Sequence, residues 1–418
     1  MQPSTERFLN QHQHLTRRFF LRFGVVGVAA LKTLPSFAAD SQRPPELQQA
    51  ISDLETWLTA QDKFADVSRG NPKPHSLDEA QRQAVGLTRE TWNLEVLADP
   101  DNKPRLRNPL TGDNAFTFAD LMQLAQTEAV RFPKIMTCLN LGCPLGTGIW
   151  EGVPLRSVIW KTEPIENLRR VFYHGYHNDD PEQMFRSSLP IGRVFEDPFG
   201  LPPVILCYKL NGDWLTPERG GPVRIVVPEA YGFKNIKWLS HLYLSNSWQS
   251  NDTYGEKNND VDSPLKTFCE TLSVPNTVEA NQPIPITGYA QVGISGLKKV
   301  QVWIHRDQDP LPDGGKYFVN APWQDAEILP VPANWGGNLP DDKIPSPTHG
   351  FDPKTGQPLI WPMRLTKAHW AALHPGLPSG EYTLRCRTID ENGAAQPMPR
   401  PFQKSGRAAI QSVAVLVK

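Results

Sequence analysis

The chain has little cysteine, no excess of either charge and no long apolar run. Its 418 residues hold five cysteines, too few for a disulfide framework, and the odd number leaves at least one thiol unpaired. Forty-three Lys and Arg nearly cancel 44 Asp and Glu, so the net charge of -1 gives no footprint for a nucleic acid. No stretch of 18 apolar residues is present to cross a membrane as a helix. There is no Gly-x-Ser-x-Gly elbow, no Gly-x-Gly-x-x-Gly turn opening a helix and no P-loop. A serine hydrolase, a dinucleotide enzyme and a phosphate-loop NTPase therefore lose their usual signatures. A Cys-x-x-Cys-His haem attachment is also missing.

What is present favours short strands. Forty-one prolines are roughly twice ordinary usage and work against long helices. Leu47, Ile51, Leu54 and Leu58 recur at three and four residues and predict one amphipathic helix. From Thr91 to about Ser245 strands and turns alternate with short helices. Strands are expected at Trp92–Leu97, Val171–Tyr173, Val204–Lys209 and Val223–Val227, with a helix over Phe118–Ala125 and a hairpin turn at Asn211-Gly212. Residues 246–264 turn polar and read as a linker. Beyond them strands are expected at 277–279, 284–290, 299–305, 382–387 and 410–417, the pattern of a β-sandwich. The fold class expected is α+β, a mixed core followed by an all-β sandwich.

The near-zero charge hides an uneven spread. Up to Ala38 the chain carries Arg7, Arg17, Arg18, Arg22 and Lys32 against Glu6 alone, so the remainder bears a net charge of -5. A basic start, the apolar run Gly24–Leu31 and small residues at Ser36–Ala39 make residues 1–39 a secretory signal. Arg17-Arg18 followed by Phe-Phe-Leu-Arg fits the twin-arginine address, which predicts export of a folded, cofactor-loaded protein to the periplasm by the twin-arginine translocase. Residues 40–90 then form a helical or irregular extension, 91–250 a core and 265–418 the sandwich.

Cys138 and Cys143 are spaced too widely for a common zinc knuckle, and no second pair follows. Cys207 and Cys386 lie in apolar strands and read as inert core thiols. Downstream of Cys138 come Trp150-Glu-Gly-Val-Pro-Leu-Arg156, Leu206-Cys-Tyr-Lys-Leu-Asn-Gly212, Gly220-Gly-Pro-Val-Arg-Ile-Val-Val-Pro228 and Ile236-Lys-Trp-Leu239. In this order they resemble the molybdopterin domain of the sulfite oxidase family. Lys299-Val-Gln-Val-Trp-Ile304 and Gly380-Glu-Tyr-Thr-Leu-Arg385 resemble the immunoglobulin-like dimerisation domain that follows in many members.

The resemblance implies a Mo-molybdopterin cofactor with Cys138 as its one protein ligand to the metal. It places pterin-phosphate contacts on Arg69-Gly70-Asn71, on Arg219 and Arg224, and on Asn235-Ile236-Lys237, with a further contact at His177. Arginine forks and backbone N–H groups suit a phosphate, although alone each arginine could equally be a solvated charge, and His174 and His177 ordinary loop histidines. Cys143 either packs or offers an alternative ligand. Sulfite-oxidising members follow the ligand cysteine with arginines; here Leu139-Asn140-Leu141-Gly142 follows. Phe185 stands where the family has its active-site tyrosine and cannot donate a hydrogen bond. Arg186 and Arg193 are then the candidate replacements lining a substrate pocket, with His174 or Tyr176 beside them. The expected activity is two-electron oxygen-atom transfer on a small substrate, sulfur compounds among the candidates, with electrons exchanged with an external carrier such as a c-type cytochrome, by a homodimer. Reduction of an S- or N-oxide is the alternative within the family, and a non-catalytic binding protein the alternative outside it.

Overall fold

The computed structural model describes residues 43–255, 259–312, 317–397 and 404–418. The signal segment falls outside the described residues. Residues Met1–Gln48 and Gln49–Lys418 form two units, and the architecture below belongs to the second.

Two five-stranded sheets build the core. In the first, strands run in the order Phe116–Thr117, Asn93–Ala98, Leu239–Ser245, Arg170–Gly175, Arg186–Pro190. Asn93–Ala98 and Leu239–Ser245 pair in parallel, and the other neighbours are antiparallel. One face carries Leu94, Val96, Val171, Tyr173, Leu242 and Leu244 into the main apolar cluster. The second sheet runs Asp213–Trp214, Ile205–Leu210, Pro144–Pro154, Val130–Thr137, with Arg224–Val226 also pairing with Ile205–Leu210. Ile205–Leu210 is buried along almost its whole length because other strands and the core cover it, and so it reads as a continuous apolar run. Asn211-Gly212 turns it back onto Asp213–Trp214, as expected.

The expected helix at 118–125 spans Phe118–Glu128; Thr117 and Asp120 form a reciprocal cap at its start. The helix predicted through Leu58 ends at Ser52. Trp57 and Leu58 are instead extended and fully buried: the Leu58 N–H donates to the Trp335 carbonyl at 2.8 Å, and the Trp57 ring meets Trp335 edge-on. Tertiary burial overrides the local period here.

The C-terminal part is a curled sandwich of eight strands, in which Gln324–Ile328 joins Lys299–Arg306 to Thr366–His374. Val300, Val302, Trp370, Leu384 and Val415 fill its interior. Residues 246–255 are no free linker. Asp252 is buried, accepting from Ser187 Oγ at 2.5 Å, Ser188 Oγ at 2.7 Å and Lys234 Nζ at 2.6 Å. A polar sequence reads as solvent-exposed when its charge is in fact paired inside.

Candidate functional site

The strands Val130–Thr137 and Pro144–Pro154 are joined by the loop that carries Cys138. The Cys138 N–H donates to the Cys143 carbonyl at 3.2 Å and the Gly142 N–H to the Cys138 carbonyl at 2.9 Å, closing the loop. Gly142 sits at φ 64°, where a side chain is strained. Thr137, just before the cysteine, donates to Gln291 Oε1 of the sandwich at 2.6 Å, which fixes the strand end. The Cys138 side chain is thus half-buried on a pinned turn, facing a cavity of about 350 Å³.

The cavity's lining holds two chemically different groups of residues. The first is Arg219, Arg224 and Lys237. Arg219 and Arg224 are 5% and 4% exposed. Arg224 donates to the carbonyls of Arg219 at 2.8 Å and Asn235 at 2.6 Å and lies over the Trp150 ring. Arg219 lies over the Phe64 ring. The Nε of each guanidinium is buried without a partner. Lys237 Nζ donates to Ser68 Oγ at 2.6 Å, the Glu218 carbonyl at 2.5 Å and Asp66 Oδ1 at 3.3 Å. Burial and the neighbouring Arg224 pull Lys237 down to about 7, and burial pulls Arg224 down to about 10. Asp66 is held well below the carboxylate range: partial burial raises it, but hydrogen bonds from Ser68 and the charges of Lys237 and Lys73 outweigh that. Buried basic side chains outnumber the carboxylates Asp66 and Glu218 here, which suits this wall to an anion.

The second group is apolar and aromatic: Leu139, Leu141, Val67, Phe185 and Tyr254. Arg69 lies over the rings of Phe185 and Tyr254, at 5.4 and 4.7 Å from their centroids, and donates to the Tyr254 hydroxyl. Tyr254 was hidden in the polar 246–264 segment, and no local signal marks it.

Of the residues singled out in the sequence, the structure brings Cys138, Arg69, Gly70, His177, Phe185, Arg219, Arg224, Asn235, Ile236 and Lys237 to this one cavity, along with Tyr176. Asn71, Arg186 and Arg193 do not belong to its lining, and His174 stands one ring behind His177. The Asn71 N–H donates to Gln183 Oε1 at 2.8 Å and is spent on holding two loops together. Arg186 begins a strand on the outward face of the first sheet and is exposed. Arg193 forms a two-pronged pair with Glu229, at 2.6 and 3.0 Å, and reaches the Pro202 carbonyl. The Asn235 side chain is likewise committed, accepting from the Val227 N–H and donating to the Tyr231 carbonyl, so it shapes the loop. Cys143 packs against the same cluster as Cys138 but does not line the cavity. Burial pushes its thiol up.

Among the described residues no group of three or more His, Cys, Asp or Glu side chains could hold a metal ion. A metal at Cys138 would need its other ligands from a cofactor. Residues 83–253 match the family described as the oxidoreductase molybdopterin binding domain. Over these residues the chain carries an oxidoreductase molybdopterin binding domain, and it is similar to sulfite oxidases. It is 25% identical to the sulfite oxidase of Gallus gallus over 273 residues, covering 60% of this chain and 50% of that one. It is 25% identical to the mitochondrial sulfite oxidase of Rattus norvegicus over 392 residues, covering 87% and 62%. The chain therefore spans only part of the length of these relatives. Its fold is shared with the sulfane dehydrogenase SoxCD from Paracoccus pantotrophus, at a TM-score of 0.54 and 18% identity, over 93% of this chain and 94% of that one.

The residues present fit a molybdopterin. A single thiol, Cys138, and three buried or half-buried basic side chains, Arg219, Arg224 and Lys237, line the same cavity. Arg219, Arg224 and Lys237 would hold the phosphate, and Cys138 would ligate the metal.

Proposed function

We propose that this protein is a molybdenum oxidoreductase that exchanges an oxygen atom between water and the sulfur of a small, uncharged substrate, with two electrons passing between that sulfur and an external carrier. The observation that carries this reading is one cavity lined by the Cys138 thiol, by the basic side chains Arg219, Arg224 and Lys237, and by the aromatic pair Phe185 and Tyr254. The cofactor, when bound, supplies the two-electron redox change and the oxygen-atom exchange. The chain's own residues do the rest. Cys138 contributes one thiolate. Arg219, Arg224 and Lys237 would hold the cofactor's phosphate; charge-assisted bonds of this kind are the strong ones. Leu139, Leu141 and Phe185 narrow the mouth and exclude water from the substrate's side.

The uncharged character follows from what faces the mouth. The loop after Cys138 brings no cation, Phe185 has no donor, and Arg186 and Arg193 lie off the cavity. Arg69 is already bracketed by two rings and donates to Tyr254. A sulfite dianion would meet little compensation there, whereas a thioether or sulfoxide would pack on Phe185 and Tyr254. Relatives named for sulfite and sulfane chemistry support a sulfur centre. Reduction of an S- or N-oxide would use the same groups in the reverse direction. A cofactor-free binding protein would have no reason to line one cavity with a thiol and two buried guanidinium groups.

The test is a steady-state comparison of sulfite against small dialkyl sulfides and sulfoxides, with dye acceptors and donors. Turnover on a sulfide or sulfoxide with weak or absent sulfite oxidation is expected; brisk sulfite oxidation would refute the uncharged-substrate reading. Export to the periplasm, a c-type cytochrome as electron partner and homodimerisation through the sandwich complete the proposal. They rest on the Arg17-Arg18 motif, the missing haem motif and the C-terminal resemblance.

A further inference from the structure

The first sheet carries an unusual outward face beside the cavity. His177, at the cavity wall, meets His174 edge-on with ring centroids 5.3 Å apart. His174 stacks on His241 at 4.7 Å. The two are direct partners across neighbouring antiparallel strands, so both point to the same side of the sheet. His241 is in turn the register partner of Glu95 on the next strand, and its Nε2 lies 3.4 Å from Glu95 Oε2. The line thus crosses three strands, from the cavity wall to a half-exposed carboxylate.

The hydrogen bonds set the protons. His174 Nδ1 and His177 Nδ1 lie 3.1 and 3.3 Å from the Gly175 carbonyl, which can only accept. In the neutral rings both Nδ1 atoms therefore carry hydrogen, and both Nε2 atoms are left as acceptors. His241 Nδ1 lies 2.9 Å from Ser240 Oγ. Arg186 faces His174 from the next strand, and Tyr243 packs beside both rings. Burial, with His241, His177 and Arg186 nearby, draws His174 down to about 4, so it rests neutral. Burial likewise lowers His241, partly offset by Glu95.

When a dialkyl sulfide is oxidised with the oxygen of water, a new sulfur–oxygen bond forms and both O–H bonds of the water break. The sulfoxide leaves, two electrons pass to an external one-electron acceptor protein in turn, and two protons must be released. We propose that His177, His174 and His241 form a proton relay between the cavity and Glu95 at the surface. The relay rests on the oxygen-transfer reading above. The ring centroids stand 5.3 and 4.7 Å apart; a neutral Nε2 takes up the arriving proton, and a ring rotation that frees Nδ1–H from the Gly175 carbonyl passes one on.

The test uses the cofactor-loaded enzyme with His241→Phe, His241→Ala and His174→Phe. Phenylalanine keeps the ring stack and removes the proton carrier; alanine leaves a hole that added imidazole can fill. Because His174 is buried and its variant can fail to fold, the half-exposed His241 carries the decision. The relay predicts a kcat roughly tenfold or more lower in His241→Phe, at unchanged KM and molybdenum content, and recovery of His241→Ala by imidazole. It also predicts, in ¹⁵N-histidine titrations, a higher midpoint for His174 in His241→Phe, because a cationic neighbour is lost. Normal kcat in His241→Phe overturns the relay alone. No turnover by the wild type overturns the functional reading, and the relay with it.

Discussion

At the scale of single residues the site is built from one thiol and an excess of buried cations. Arg219 makes the sharpest case, since its guanidinium is buried and its Nε has no partner. Replacing it with Gln removes a charge-assisted contact worth about 1.5–3 kcal/mol to the cofactor phosphate, roughly a 10- to 100-fold loss in retention. The cofactor-free form of the same variant should melt no lower than the wild type, because a buried unpaired cation is a cost to folding. Metal content and thermal midpoints read the two effects separately; a large destabilisation of the cofactor-free protein would show that Arg219 is structural. Cys138, the two arginines and Lys237 were legible in the sequence because motif order places them on turns that converge. Arg186 and Arg193 were not, since their direction depends on strand parity and on a partner, Glu229, 36 residues away.

Among elements, the loop 138–143 decides the site. Gly142 is left-handed, and a Cβ there would come within 2.6 Å of the Arg407 Cβ. Gly142→Ala should therefore lower stability by about 1–2 kcal/mol and reduce molybdenum content, because the Cys138 turn must shift. An unchanged midpoint would show that the loop relaxes freely.

The strand Val130–Thr137 hides a second element-scale effect. Lys134 is fully buried, with Nζ donating to the Ala230 carbonyl at 2.7 Å, and burial draws it to about 7, as burial and Arg224 do for Lys237. Between that value and the ordinary lysine value of 10.5 the unfolded chain holds a proton that the folded chain lacks, so stability rises with pH from about 7 upward. Cys207, pushed by burial from 9.0 to about 12, acts in the opposite direction only near and above pH 9. The cofactor-free protein should therefore melt higher at pH 8.5 than at pH 7 (roughly the window between these groups). A flat or falling midpoint would contradict neutral lysines in the fold. Strands of alternating or continuous apolar residues were readable within a residue or two. The Trp57–Leu58 segment and the 246–255 segment were not, because the first is held by Trp335 and the second by buried ion pairing at Asp252.

On the scale of the whole molecule, a mixed two-sheet core and a curled sandwich are joined by contacts such as Thr137 to Gln291 and the Ile135 N–H to the Leu365 carbonyl. The sandwich thus braces the strand that presents Cys138. If it also pairs two copies, light scattering should give twice the chain mass; a monomeric mass would remove the dimer from the proposal. The molecule's central claim is that its buried positive pocket and its one cavity-facing thiol exist for a molybdopterin. Metal and pterin analysis of the purified wild type and of Cys138→Ser tests that most directly. About one molybdenum and one pterin per folded wild-type chain is expected, with molybdenum greatly reduced in Cys138→Ser. A folded wild type without molybdenum when expressed in a cofactor-producing host, or an undiminished metal content in Cys138→Ser, would contradict it.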